Sequence, residues 1–107
     1  MMVNWDEIIA RGIVRKTVAL HPIWDQYVRI TQASILEEGK DASYSLALNY
    51  MLLMAFNLVV NKGIDMETAK IMSSFLEDQK TVEDLNYENL TIEFEKALKD
   101  RFIKDNK

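Results

Sequence analysis

Residues 13–20 read Ile13-Val14-Arg15-Lys16-Thr17-Val18-Ala19-Leu20, between Gly12 and the His21-Pro22 pair. The stretch is rich in β-branched residues and too short for a helix between those breakers, which predicts a strand. No second segment of the chain has this character. A lone strand cannot satisfy its own backbone groups. It must pair with a copy from another chain or add to a partner's sheet.

Everything around it reads as helix. Asn4-Trp5-Asp6-Glu7 forms a capping box, which predicts a short helix from Trp5 to about Arg11. Pro22 suits a first helical position with His21 as its cap. The helix it opens runs to about Glu38, with Ile23, Trp24, Tyr27, Val28, Ile30, Thr31 and Ile35 as its apolar positions. Gly39-Lys40 is a turn, and Asp41 is the expected cap of a second, long helix to about Asn61. Gly63-Ile64-Asp65 supplies another turn and cap before a third helix from Met66 to about Gln79, with Ala69, Met72, Phe75 and Leu76 on one face. The pattern loosens from Lys80 to Tyr87. A last helix, about Glu88 to Lys104, carries a stripe of Leu90, Phe94, Leu98 and Phe102, with Lys99 and Lys104 each four residues after an acid.

The second long helix raises a membrane question. Ala42 to Asn61 are twenty consecutive uncharged residues, enough to cross a bilayer. Ser43, Ser45, Asn49, Asn57 and Asn61 interrupt that run, and hydrocarbon offers amides no hydrogen bonds. Only Lys40 and Lys62 flank it. These features predict a helix buried in protein, with a single membrane span as the lesser alternative.

Composition limits the functions available. The chain has 107 residues, 49% hydrophobic and 28% charged, which suits one globular domain with helical extensions. A chain this short buries only about two-thirds of its unfolded surface, so a homodimer sharing its core is expected. Lys+Arg 13 against Asp+Glu 17 gives a net charge of -4, which argues against a broadly basic nucleic-acid coat but permits one small basic surface. Residues 1–40 carry five acids and five bases, whereas residues 41–107 carry the whole acidic excess. Arg11, Arg15 and Lys16 cluster at the strand, with no acid between Glu7 and Asp25. No cysteine is present, so disulfides, thiolate nucleophiles and cysteine-based metal sites are all excluded. The first residues are neither basic nor followed by an apolar region, which predicts no signal peptide and a cytoplasmic location.

Catalysis finds little support. The single histidine, His21, has Asp25 four residues on, too few ligands for a metal centre and better read as a helix cap. The acidic doublets Asp6-Glu7, Glu37-Glu38, Glu77-Asp78 and Glu83-Asp84 are adjacent residues, about 100° apart on a helix, and do not converge on a substrate. With three isolated glycines there is no phosphate loop and no nucleophile elbow. The expectation is a protein that is not an enzyme and uses no cofactor or metal.

From Arg15 to about Leu52 the sequence resembles the ribbon-helix-helix DNA-binding domain of Arc- and MetJ-type repressors. The resemblance lies in the alternating strand Thr17-Val18-Ala19-Leu20, the Pro-started helix of Pro22-Ile23-Trp24, the Gly39-Lys40 turn, and a polar cap at Asp41 followed by Ala47-Leu48. It implies a mainly α homodimer with an intersubunit two-stranded antiparallel ribbon, whose width suits the major groove. Alternation points Val18 and Leu20, with Lys16 in phase, toward the helices. Arg15, Thr17 and Ala19 then face outward as base readers. The backbone at Ala42 and Ser43, with Lys40, would hold a phosphate, and Arg11 and Lys16 would add phosphate attraction. Family strands usually present three polar readers, from which Ala19 departs, and an apolar residue at the position where Lys16 stands.

The expected organisation is a short N-terminal helix over 1–12, a ribbon-helix-helix-like core over 13–62, and an acidic helical extension over 63–107. The function this implies is a sequence-specific DNA-binding transcriptional regulator acting as a repressor on double-stranded DNA. The alternative is a helical protein–protein interaction module, or an antitoxin-like protein whose C-terminal helices bind a partner protein.

Overall fold

The computed structural model describes residues 2–105, and the side chains of 2–100. It is mainly α. Five α-helices follow in order: α1 (Trp5–Ala10), α2 (Pro22–Glu37), α3 (Tyr44–Lys62), α4 (Met66–Glu77) and α5 (Tyr87–Asp105), with a 3-10 helix (Gln79–Asp84) between the last two. The tail of the Leu90 stripe, Phe102, and the Asp100–Lys104 pair fall beyond the described side chains.

The helix ends follow local chemistry. Asn4 Oδ1 accepts from Glu7 N at 3.1 Å to start α1. His21 Nδ1 accepts from Ile23 N at 3.2 Å, and Pro22 occupies the first turn of α2. Because Nδ1 accepts, the neutral ring carries its proton on Nε2, which lies 3.1 Å from Glu83 Oε1. Helix α2 ends in a Schellman motif. Gly39 at φ +81° lets its own N–H reach Leu36 O and lets Lys40 N reach Ile35 O.

The start of α3 corrects one expectation. Ser43, not Asp41, is the cap, its Oγ accepting from Leu46 N at 3.1 Å. Both residue types cap well, and tertiary contact decides between them. Gln32 Nε2 donates to Ala42 O at 3.0 Å, which holds Ala42 outside the helix.

Two packed joints make the core. Tyr27, Val28, Thr31 and Ile35 line one face of α2 and are buried. Ala47 is the buried residue of α3, a small side chain that admits close approach of the two helices. Thr31 is fully buried, and its hydroxyl donates to Tyr27 O at 2.9 Å, so it leaves no unpaired group. The second joint sets α5 on α2. Tyr27 meets Phe94 edge-on with ring centroids 5.0 Å apart and shares a 2.9 Å hydrogen bond with Thr91 Oγ1. Leu98 of α5 is also buried, and the Tyr87 hydroxyl donates to Val82 O.

Two sequence expectations fail within the single chain. Residues 13–20 form no strand, and no strand occurs among the described residues. The physical reason is the one stated above, since a strand needs an edge to pair with and the described residues supply none. Instead residues 12–21 run without turn or bend, and residues 11–20 are exposed throughout. The expected ribbon therefore has no counterpart among the described residues of the single chain.

Helix α3 is likewise not buried within its own chain. It is long and apolar enough to cross a membrane, yet only 6% of its most apolar window is covered. Helix α2 covers one face of it, and every residue from Ala55 to Lys70 is exposed. Met72 and Leu76, on the apolar face of α4, are also exposed.

The open form is measurable. The chain exposes 9272 Å², about half as much again as the roughly 6,100 Å² of a compact monomer of its mass. Its radius of gyration is 16.0 Å, against about 13 Å for a compact chain of this length.

Candidate nucleic-acid interface

The exposed arm meets the helices at an open cleft of about 790 Å³ lined by Lys16, Thr17, Val18 and Leu20, the start of α2 at Pro22, Asp25 and Arg29, and the start of α3 at Tyr44, Ser45 and Leu48. Lys16, Val18 and Leu20 are the residues that alternation directs toward the helices. Thr17 lines the cleft as well. Arg15 and Ala19 lie on the same arm outside the cleft lining, and both are exposed. Arg11 is exposed at the arm's far end, beside Gly12.

The proposed phosphate group of residues is only partly assembled. Since α3 begins at Tyr44, the N–H groups at its open end belong to Tyr44 and Ser45, while that of Leu46 is taken by Ser43. Ala42 therefore lies ahead of the helix, and its carbonyl is engaged by Gln32. Ser43 acts through its cap. Lys40 is exposed in the turn before it. Arg11, Arg15, Lys40, Ala42 and Ser43 are not among the residues lining the cleft.

Three residues that sequence reading did not assign organise this region. Asp25 Oδ1 accepts from the Tyr44 hydroxyl at 2.7 Å, and its Oδ2 accepts from Arg29 Nε at 3.0 Å. Both bonds favour the ionised carboxylate, Tyr44's first, and hold Asp25 below its ordinary pKa. The same contacts raise Tyr44 and Arg29. Arg29 lines the cleft and uses one of its five N–H donors on Asp25, which leaves donors for an anion. The four-residue spacing of Asp25 and Arg29 is visible in the sequence; the reach of Tyr44 across nineteen positions is not.

Among the described residues no three of His, Asp and Glu come together in a way that would hold a metal ion. His21 is engaged as a cap and by Glu83, and Asp25 turns away from it to Tyr44 and Arg29.

Comparison with models of known protein families, with curated proteins and with solved structures found no match to this chain.

Proposed function

We propose that this chain is a dimeric, sequence-specific DNA-binding regulator that works as a repressor. Two arms pair antiparallel across a two-fold axis, and the resulting ribbon enters the major groove. The observation that carries the proposal is the arm itself. Residues 13–20 run exposed, without turn or bend and outside any strand, directly ahead of a packed α2–α3 pair. They carry Arg15 and Lys16, with Arg11 just before them, and no acid. A segment with an unsatisfied backbone is what a two-fold partner would complete, and a two-stranded ribbon fits the groove. The surplus of exposed surface supports the same reading, since an obligate dimer buries about 2,000–5,000 Å² in total.

In this mechanism Arg15 donates bidentately to guanine, Thr17 bonds a base edge, and the Ala19 methyl touches a thymine methyl. Arg11, Lys16 and Lys40, with the open end of α3, hold the flanking phosphates. The bound dimer then blocks its promoter site sterically. The test is selection from pooled duplexes with sequencing in about 150 mM salt, using the wild type and the Arg15→Ala/Thr17→Ala variant. Enrichment of a two-fold symmetric site by the wild type alone is the expected result. A folded dimer that enriches nothing would overturn it.

A second reading rests on a separate observation, the uncovered apolar faces of α3 and α4. They support a helical interaction module, or an antitoxin-like protein that holds a partner protein through its C-terminal helices. Failure of the DNA selection leaves that reading standing.

A further inference from the structure

Helix α1 has no place in its own chain. Trp5, Ile8 and Ile9 fall within about 100° of one another on a helix, and Asp6 and Glu7 take the opposite side. Every residue of α1 is nevertheless exposed, Trp5 at 66% and Ile9 at 73%. Six residues are too few to hold a helix in water without tertiary contact. An apolar face on so short a helix implies a surface that receives it.

A receptor of the right chemistry lies elsewhere on the fold. Trp24 of α2, Ile71, Met72, Phe75 and Leu76 of α4, and Val82 and Leu85 around the 3-10 helix enclose a cleft of about 350 Å³ whose wall is almost wholly apolar. The His21–Glu83 contact ties the 3-10 helix to the residue that precedes α2. The cleft therefore opens beside the inner end of the arm, whereas α1 sits at its outer end.

We propose that α1 of each protomer docks in this cleft of the other, so that the dimer is closed by exchanged N-terminal helices. The inference rests on the antiparallel ribbon argued above. Pairing the arms about Thr17, the register that keeps Arg15, Thr17 and Ala19 of both chains on one face, sets Ile13 opposite the partner's His21. Only Arg11 and Gly12 then separate Ile13 from α1, and two residues span at most about 7 Å. Gly12 lies at φ +71°, a turn that L side chains resist, so the chain changes direction between strand and helix at that residue. Reaching the same cleft of its own chain would require the arm to fold back along its whole length, about 30 Å. Docking also covers Trp5, Ile8, Ile9, Met72 and Leu76 together, part of the surface by which this chain exceeds a compact monomer.

Because the protein contains no cysteine, introduced thiols report without background. Full-length chains carrying Ile9→Cys are refolded with chains carrying Met72→Cys or Leu76→Cys and oxidised. All three sites are exposed, so the substitutions spare the core. A mixture of Arg15→Cys and Ala19→Cys chains, residues that face each other across the two-fold on the outer face in this register, tests the ribbon separately. The expected result is disulfide-linked heterodimers from both mixtures. Cross-linking at Arg15/Ala19 without cross-linking at Ile9 overturns the exchange and leaves the ribbon. A bond formed within one chain of an Ile9→Cys/Met72→Cys double variant also overturns it. Absence of cross-linking at Arg15/Ala19 overturns the ribbon reading. As a second measurement, removing residues 1–11 should weaken dimerisation about tenfold or more; an unchanged dissociation constant overturns the exchange.

Discussion

The Tyr44 hydroxyl donates a 2.7 Å hydrogen bond to Asp25 Oδ1, tying the first residue of α3 to the first turn of α2. The same carboxylate takes Arg29 Nε through its other oxygen. One half-buried carboxylate thus ties the start of α3 to α2 and engages the Arg29 guanidinium. In Tyr44→Phe the strongest of these bonds is lost, and Asp25 should titrate nearer its ordinary value. The sign follows from linkage. A carboxyl depressed in the folded state stabilises fully above its unfolded pKa of about 3.9 and ceases to do so as pH falls through the folded value. The wild type should therefore lose this contribution below about pH 4, and Tyr44→Phe should lose less over the same range. Carboxyl chemical shifts followed by NMR through acid titration check both statements; an unmoved Asp25 midpoint in the variant would count against the bond.

Tyr27 joins α5 to α2 in two separable ways. Its ring is buried edge-on against Phe94, and its hydroxyl bonds Thr91. Tyr27→Phe keeps the ring and should cost about 1 kcal/mol, the worth of one hydrogen bond. Tyr27→Ala empties the joint and should cost about 3–5 kcal/mol. Urea unfolding at fixed chain concentration separates the two, since any dimer makes the midpoint concentration-dependent. Equal losses in the two variants would show that the ring contact does not hold α5.

The helices, and most of their ends, were legible because capping is local. Asn4, His21-Pro22, Gly39 and Asp65 each act within four residues of themselves. Asp41 and Ser43 both satisfy the same local rule. What favours Ser43 is Gln32, ten residues before Ala42 in sequence, and no window along the chain reveals that. Tyr27–Thr91 and Asp25–Tyr44 span sixty-four and nineteen positions and depend on packing alone. Residues 13–20 fail differently. Their strand character is plain in the sequence, but the edge they need is absent from the chain. The 3-10 helix falls where the apolar pattern loosened, and its 3-10 form could not be foreseen there.

Self-association should centre on α3. Leu46, Leu52, Leu53, Phe56, Val59 and Val60 share the face turned away from α2, and all are exposed. Burying one such side chain is worth about 1.5–3 kcal/mol. Phe56→Ser should therefore weaken a dimer on the order of tenfold to a hundredfold, while leaving the α2–α3 joint at Ala47 intact. Sedimentation equilibrium without detergent measures this. Flotation of the wild type with phosphatidylcholine vesicles, rather than sedimentation as a soluble dimer, would assign the face to lipid instead.

Reader and phosphate residues should fail in different ways. Lys16 and Arg11 offer point charge to the backbone and carry no sequence information, so Lys16→Ala should weaken all duplexes about equally. Each phosphate contact contributes about 0.9 to the slope of log affinity against log salt, and that slope should fall by roughly one. Arg15→Ala should instead cost about 1–3 kcal/mol on the selected site alone and relax preference at one base pair in each half-site. Arg29, oriented by Asp25, belongs with the phosphate group if the cleft holds the backbone, and Arg29→Ala should resemble Lys16→Ala. Fluorescence anisotropy on the selected duplex and a scrambled one, across a salt series, distinguishes these patterns. Equal loss on both duplexes for Arg15→Ala would remove it from base reading and leave the arm as an electrostatic contact only.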